Sequence, residues 1–234
     1  MRANDALIVL QAGSACPALP GRVLRCAAGQ SLLARCLQRL LAANAAPLVL
    51  ATTDRAEDDG LVQVADELGV PSIRSALTDA LGQLARAVQI VEPVYVICAT
   101  GHHAAVDVDA PSRVLRFLRR NRVDYVVERG LPAGAGVEGL RAAALPGVAD
   151  LSTDPDDRGH VTAFLRRPGS RFRTLEPLAP PALRRPDLRF TVETADDLAF
   201  MEAVLARAAA GSALIPLPSI IRAADTLPGR CEVA

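Results

Sequence analysis

The chain has 234 residues, half of them hydrophobic, 22% charged and only 3% aromatic, a composition that excludes a disordered chain and fits a soluble globular core near the upper size for one domain. Its 26 basic residues balance 26 acidic ones, so no net field draws it to nucleic acid or to an anionic membrane. Every basic residue is arginine, which excludes a lysine Schiff base and the phosphate lysine of a P-loop.

Short β-rich runs bounded by turn residues predict buried strands at residues 6–11, 47–52, 72–74, 94–99 and 124–127. Between them, apolar residues at helical spacing predict helices at 31–43, 59–68, 78–89 and 112–120, the first capped by Ser31. Strict alternation of strand and helix implies right-handed crossovers and a doubly wound, mainly parallel α/β sheet. After Glu128 the pattern loosens into a glycine-rich loop at 130–139, a polar stretch at 151–158 and a proline-rich stretch at 177–186, the kind of long surface loop that carries binding. A strand at 188–192 and a helix at 195–210 follow. We read residues 1–210 as one domain and 211–234 as a tail that packs on it or on a partner, its apolar part at 215–221.

Mean hydropathy is +0.23, yet no window approaches the ~20 apolar residues of a membrane span, and the first residues carry no secretory leader pattern. Cys16, Cys26, Cys36, Cys98 and Cys231 form no Cys-x-x-Cys pair and read as apolar fillers in a reducing compartment. A cytoplasmic protein with no nucleic-acid or membrane partner is expected. Arg119, Arg120 and Arg122 read as a solvated helix end.

Ligands of open α/β sheets bind beyond the carboxyl ends of the strands. The first such segment is Gln11-Ala12-Gly13-Ser14, continuing to Leu19-Pro20-Gly21-Arg22; its backbone amides can cradle phosphates and Arg22 can supply charge, or it is an ordinary strand-to-helix turn. The second strand runs into Thr52-Thr53-Asp54, whose hydroxyls and carboxylate suit a base or ribose. The fourth ends in Gly101-His102-His103, with Asp107 and Asp109 close behind; this is either a group of metal ligands or a solvated loop with neutral histidines.

These segments share their order with one family. Leu19-Pro20-Gly21-Arg22-Val23-Leu24, Ala51-Thr52-Thr53-Asp54, Glu57-Asp58-Asp59, Glu67-Leu68-Gly69-Val70, Asp124-Tyr125-Val126, Pro132-x-Gly134-x-x-Val137-Glu138, Asp157-Arg158-x-His160-Val161-Thr162 and Arg189-Phe190-Thr191-Val192-Glu193-Thr194-x-x-Asp197 resemble the nucleotidyltransferases of spore-coat polysaccharide biosynthesis, relatives of 3-deoxy-manno-octulosonate cytidylyltransferase. The resemblance covers roughly residues 6–205 and implies transfer of CMP from CTP to a sugar or sugar acid, with magnesium, in a homodimer. It assigns Arg22 and Arg158 to catalysis, and Gln11, Ala12, Gly13, Gly21, Thr53, Asp54, Asp79 and Gly101 to the nucleotide. Glu138 and His160 fall to the sugar, and His102, Asp107 and Glu193 to the metal.

The chain also departs from that family. The family loop usually reads Gln-Ala-Arg-Met-Gly-Ser-Thr-Arg-Leu-Pro-Gly-Lys-Val-Leu; its two arginine positions here hold Gly13 and Ala18, and its lysine is Arg22. The family's metal aspartates are replaced by His102 and Glu193, and its Asp-Val-Leu-Asp-Arg by Asp79-Ala80-Leu81-Gly82-Gln83. Imidazole is a poor ligand for magnesium, which prefers hard oxygen donors. Two expectations follow: an enzyme with a weakened phosphate and metal site, or a lapsed member that binds a partner in the same kind of pathway.

Overall fold

The computed structural model describes residues 5–76, 79–151, 165, 171–208 and 214–227. The chain begins with β1 (Ala6–Gln11), a small antiparallel ribbon of β2 (Cys26–Ala27) and β3 (Gln30–Ser31), and α1 (Leu32–Ala43). It continues through β4 (Leu48–Thr53), α2 (Asp59–Glu67), β5 (Ser72–Ser75), α3 (Ala80–Val91), β6 (Tyr95–Thr100) and α4 (Ala110–Asn121). Then come β7 (Tyr125–Val127), β8 (Glu138–Arg141), α5 (Leu145–Leu151), β9 (Thr174–Leu175), α6 (Ala195–Ala208) and α7 (Leu217–Asp225).

Seven strands form one sheet in the order β5-β4-β1-β6-β8-β7-β9. All run parallel except β8, which is antiparallel to both β6 and β7. The alternation of side chains along each central strand fills two layers. On β1, Ala6, Ile8 and Leu10 face a core shared with Leu33, Leu37 and Leu40 of α1 and Val114 and Leu118 of α4. Leu7 and Val9 point the other way, onto Leu81, Leu84 and Ala87 of α3. Leu48 and Leu50 of β4 join the first layer, Val49 and Ala51 the second, so each strand is apolar on both faces, as the sequence pattern implied.

Helix starts follow local chemistry. The Ser31 hydroxyl accepts from the Ala34 amide at 3.2 Å, and the Asp79 carboxylate accepts from the Gly82 amide at 2.7 Å, each satisfying a first-turn donor. Helix α4 begins at Ala110, two residues before the predicted Ser112, because Pro111 is accepted in a first turn.

Two expectations need correction. The end of the predicted 130–139 loop is strand β8, admitted because Gly139 lacks a Cβ that would sit 2.4 Å from Val114 Cγ1. Residues 188–192 form no strand; they make single bridges, Arg189 to Ala133 and Thr191 to His103, and so lace two loops together. The tail contains α7, and its residues Ile215, Leu217, Ile220 and Ile221 are buried with Met201, Val204 and Leu205 of α6; they cover the chain's own core, one of the two places expected for the tail. Buried Arg39 of α1 donates to the carbonyls of Val106 and Ile215, tying this segment to the body.

Candidate functional site

A cleft of about 720 Å³ opens where the carboxyl ends of β1, β4, β6 and β7 meet the start of β8. Gln11, Ala12, Gly13, Arg22, Thr53, His102, Glu138 and Glu193 line it, together with Asp58, Gln83, His103 and Glu128. The backbone makes this convergence tight. A Cβ on Gly101 would lie 2.8 Å from the Ala12 Cβ, and one on Gly134, where φ is +83°, would lie 2.8 Å from the Thr191 amide nitrogen.

The loop after β1 is anchored from below. Asp58, 2% exposed, accepts from the Ser14 amide at 2.8 Å and from the Thr52 hydroxyl at 3.2 Å, and takes a short hydrogen bond from the Thr53 hydroxyl. These hydrogen bonds hold its carboxyl below the usual range despite burial. The Ser14 amide is thereby committed to Asp58. Gly21, with φ +65°, donates to the Ser14 carbonyl at 3.0 Å and closes the loop, which brings Arg22 to the cleft on a single 3-10 turn. The buried Nε of Arg22 has no hydrogen-bond partner among the described residues. Gln11 Nε2 donates to the Ala80 carbonyl at 2.6 Å and joins the end of β1 to the first turn of α3.

On the opposite wall, His102 and His103 stack edge to face with centroids 4.8 Å apart. Burial pushes His102 down to about 2, helped by His103, Arg22 and Arg189. Burial likewise pushes His103 down to about 4, with Arg22 and Arg189 lowering it and Glu193 opposing. Both imidazoles are neutral at pH 7. Burial and the neighbouring Glu138 raise the Cys98 thiol, so it stays protonated and is no nucleophile.

Several sequence-predicted residues have other work. Asp107, 6% exposed, pairs with Arg113 at 2.6 Å; Arg113 also grips Glu128 bidentately, both contacts at 2.7 Å. Asp107 therefore stands outside the cleft lining as part of a buried ion network, contrary to its expected place as a metal ligand. Asp79 is the cap of α3, Asp54 is exposed beyond the rim, and Gly101 and Gly21 act through their backbones. Glu193 does line the cleft, but Arg189 holds its carboxylate. Arg158 and His160 lie outside the described residues. Thr194 and Asp197 form a capping box at the start of α6: Asp197 accepts from the Thr194 amide at 2.8 Å, and Thr194 Oγ1 accepts from the Asp197 amide at 3.2 Å.

Sequence reasoning missed Arg113, Glu128 and the anchoring role of Asp58. The available signal for Asp58 was its place just after Thr52-Thr53, two hydroxyls in need of an acceptor.

The donors of the described residues do not fit magnesium. Among the described residues no group of three His, Cys, Asp or Glu is placed to hold a metal ion. Nearest the histidines the cleft offers neutral nitrogen and a carboxylate already paired, where magnesium calls for free hard oxygens.

An open, mainly parallel sheet with an arginine-bearing loop after its first strand and a cleft at its switch point defines a nucleotide-handling α/β protein. The sequence comparison is specific: residues 7–206 match the family profile described as Cytidylyltransferase, and the chain belongs to that family. It is 26% identical over 211 residues to the "Spore coat polysaccharide biosynthesis protein SpsF" of Bacillus subtilis (strain 168), covering 88% of each chain. A cytidylyltransferase structure from Leptospira borgpetersenii superposes with TM-score 0.84 at 18% identity, covering 94% of this chain and 93% of that one. A CMP:2-keto-3-deoxy-manno-octonic acid synthetase complexed with CTP superposes with TM-score 0.66 at 17% identity, covering 87% and 99%. No described helix is long and apolar enough to cross a membrane.

Proposed function

We propose that this protein takes a cytidine nucleotide and a sugar or sugar acid into one cleft and transfers CMP from CTP to a hydroxyl of the sugar. The hydroxyl oxygen would bond to the α-phosphorus as the bond to the leaving pyrophosphate breaks, and the hydroxyl proton would pass to solvent. The observation that carries this reading is the convergence, on one cleft, of the loop bearing Arg22 with the segment 131–138 that ends at Glu138. Family membership supplies the base and the reaction class; the relatives named for spore-coat polysaccharide and for a keto-sugar acid supply the acceptor class.

Within this reading Arg22, which lines the cleft, meets phosphate oxygen through its guanidinium. Gln11, Ala12, Gly13 and Thr53 shape the nucleotide side, and Glu138 faces the sugar. Arg158 and His160 are assigned to catalysis and sugar by the sequence pattern alone. Reaction by this arrangement rests on positioning and on fixed donors, and no step is assigned to magnesium, which the donors among the described residues do not fit. A second reading, that the chain binds these ligands without turning them over, is favoured by the pairing of Glu193 with Arg189 and by neutral His102. The free thiols of Cys16, Cys26, Cys36 and Cys98 support a cytoplasmic setting. The expected homodimer finds exposed Ile90, Val91 and Val94 at the end of α3 and before β6, and sedimentation velocity tests it. Pyrophosphate release from CTP with a panel of sugar acids tests the reaction. Turnover abolished by Arg22→Ala supports transfer; CTP binding with no turnover for any acceptor supports the second reading; absence of any cytidine-nucleotide binding refutes both.

A further inference from the structure

One corner of the cleft is built from uncharged side chains. It lies where the carboxyl ends of β1 and β4 meet the first turns of α3, and Ala12, Thr53, Ala80 and Gln83 line it beside Gln11. Helix α3 packs along β1 and β4, and Ala80 and Gln83, three residues apart, share one face of it. Gln83 is 7% exposed, and Ala12 and Thr53 are each 8% exposed, so the floor of the corner is nearly closed to water. Arg22 serves another part of the cleft, where it stands close enough to His102 and His103, after β6, to lower both.

A nucleotide has one charged end and one neutral end. A base seated in a corner this deep gives up water at its polar edge, and that edge must be met by hydrogen bonds from the protein. The described side chains of the corner differ in what they can offer. Ala12 and Ala80 carry no polar atom. Gln11 donates to the Ala80 carbonyl at 2.6 Å, and the Thr53 hydroxyl donates to Asp58. Gln83 has two N–H donors and an oxygen with two lone pairs, so it can keep a partner within the protein and still meet a ligand. Its backbone is fixed: Asp79 caps α3 through the Gly82 amide at 2.7 Å, and the Gln83 amide donates to the Asp79 carbonyl at 3.2 Å. A side chain on a rigid helical turn holds its place better than one on a loop.

Resting on the cytidylyltransferase reading above, we propose that Gln83 reads the base. Its side-chain N–H donates to the ring N3 of cytosine, and its carbonyl oxygen accepts from the exocyclic amino group. A side-chain amide makes this two-point match with any base edge that sets an acceptor beside a donor. Gln83 thereby determines which base the cleft selects, while Arg22 answers for phosphate.

The test is calorimetry on the full chain at neutral pH with three ligands: CTP, its pyrimidinone analogue lacking only the exocyclic amino group, and deoxycytidine triphosphate. Each is titrated into the unaltered chain and into Gln83→Met, which keeps the length of the side chain and removes its amide. Loss of the amino group should weaken binding to the unaltered chain about tenfold or more. Gln83→Met should bind CTP about tenfold or more weaker than the unaltered chain does. It should also bind CTP and the pyrimidinone within about twofold of each other, because the contact that told them apart is gone. Loss of the ribose hydroxyl should cost both proteins alike. A Gln83→Met chain that binds CTP as tightly as the unaltered one overturns the inference, and so does an amino-group penalty that persists in the variant. A variant that becomes indifferent to the ribose hydroxyl instead places the amide on the sugar and likewise overturns it. Should Gln83→Met lose its cooperative melt, Gln83→Glu takes its place, with no donor for N3. It should then be indifferent to replacement of N3 by a CH group, a change that costs the unaltered chain about tenfold or more, and a persisting penalty overturns the inference. Failure of the unaltered chain to bind CTP refutes the cytidylyltransferase reading itself and takes the inference with it, an outcome seen before any variant is made.

Discussion

Replacing Asp58 by alanine removes the acceptor beneath the loop that carries Arg22. The buried carboxylate serves the Ser14 amide at 2.8 Å and the Thr52 hydroxyl at 3.2 Å, besides its short bond from Thr53. An amide stranded in a buried place costs about 1–3 kcal/mol, and hydrogen bonds to a charged group are worth about 1.5–3 kcal/mol each. Because the two threonine hydroxyls can rotate to other acceptors, the expected loss is about 3–4 kcal/mol. That is a large share of a total of roughly 5–15 kcal/mol. Asp58→Asn keeps one acceptor for Ser14 but sets an NH2 group against the hydroxyls, so it should lose about 1–2 kcal/mol. Urea unfolding reports both values, and amide hydrogen exchange at Ser14 reports whether the loop has come free. An alanine variant within 1 kcal/mol of the parent, with Ser14 exchange unchanged, would refute the anchoring role.

The histidine pair makes stability sensitive to mild acid. Folded-state values of about 2 and about 4 lie below the unfolded value, so the unfolded chain takes up protons first, and stability is lost as pH falls from about 6.5 toward the folded values. For His103 this amounts to about 2 kcal/mol by pH 5; thermal melts of the parent and of His103→Asn should diverge over that window, and parallel curves would show the imidazole is solvated. Arg39→Ala should cost about 3–5 kcal/mol, since it strips buried carbonyls of Val106 and Ile215 of their donor, and limited proteolysis should then cut near α7; an uncut tail speaks against the tether. Gly134→Ala should cost about 1–3 kcal/mol through contact with Thr191 and a strained φ, read by calorimetric unfolding, and a neutral result would mean the 131–135 loop moves freely.

The sheet was legible because β1, β4 and β6 are apolar on both faces, a pattern that needs no tertiary knowledge. Strand β8 was not, because Glu138-Gly139-Leu140-Arg141 is four residues long with charged ends, and its glycine is required by Val114 of another element. Residues 188–192 carry strand composition, yet no neighbour runs beside them for more than one residue pair at a time. Helix α7 hid behind Pro216 and Pro218, which read as tail but serve to start a helix. Arg22, His102 and Glu193 line the cleft, and they drew notice in the sequence because they follow strands or match a motif. Asp107 was misplaced for the opposite reason: proximity in sequence to His103 suggested a shared ligand, whereas Arg113, one and a half turns along the chain, reaches it first.

The motif residues that persist in this chain and those that differ sort by the forces acting on them. Asp58 and the Thr194–Asp197 box match the family pattern, and each here satisfies backbone donors that would otherwise be buried or unpaired at a helix start. Their worth lies in the fold, and it is the same whether or not a phosphate ever binds. Gly13, Ala18, His102 and the Glu193 position depart from the pattern, and Gly13, His102 and Glu193 line the cleft. Removing cations from a surface loop leaves the folded state nearly unchanged, so a fold of this kind can keep its full architecture while the charge of the loop beside its cleft changes. Family membership and ligand charge are therefore separate questions here, the first answered by residues that hold the sheet and its caps together, the second by the charged side chains that line the cleft.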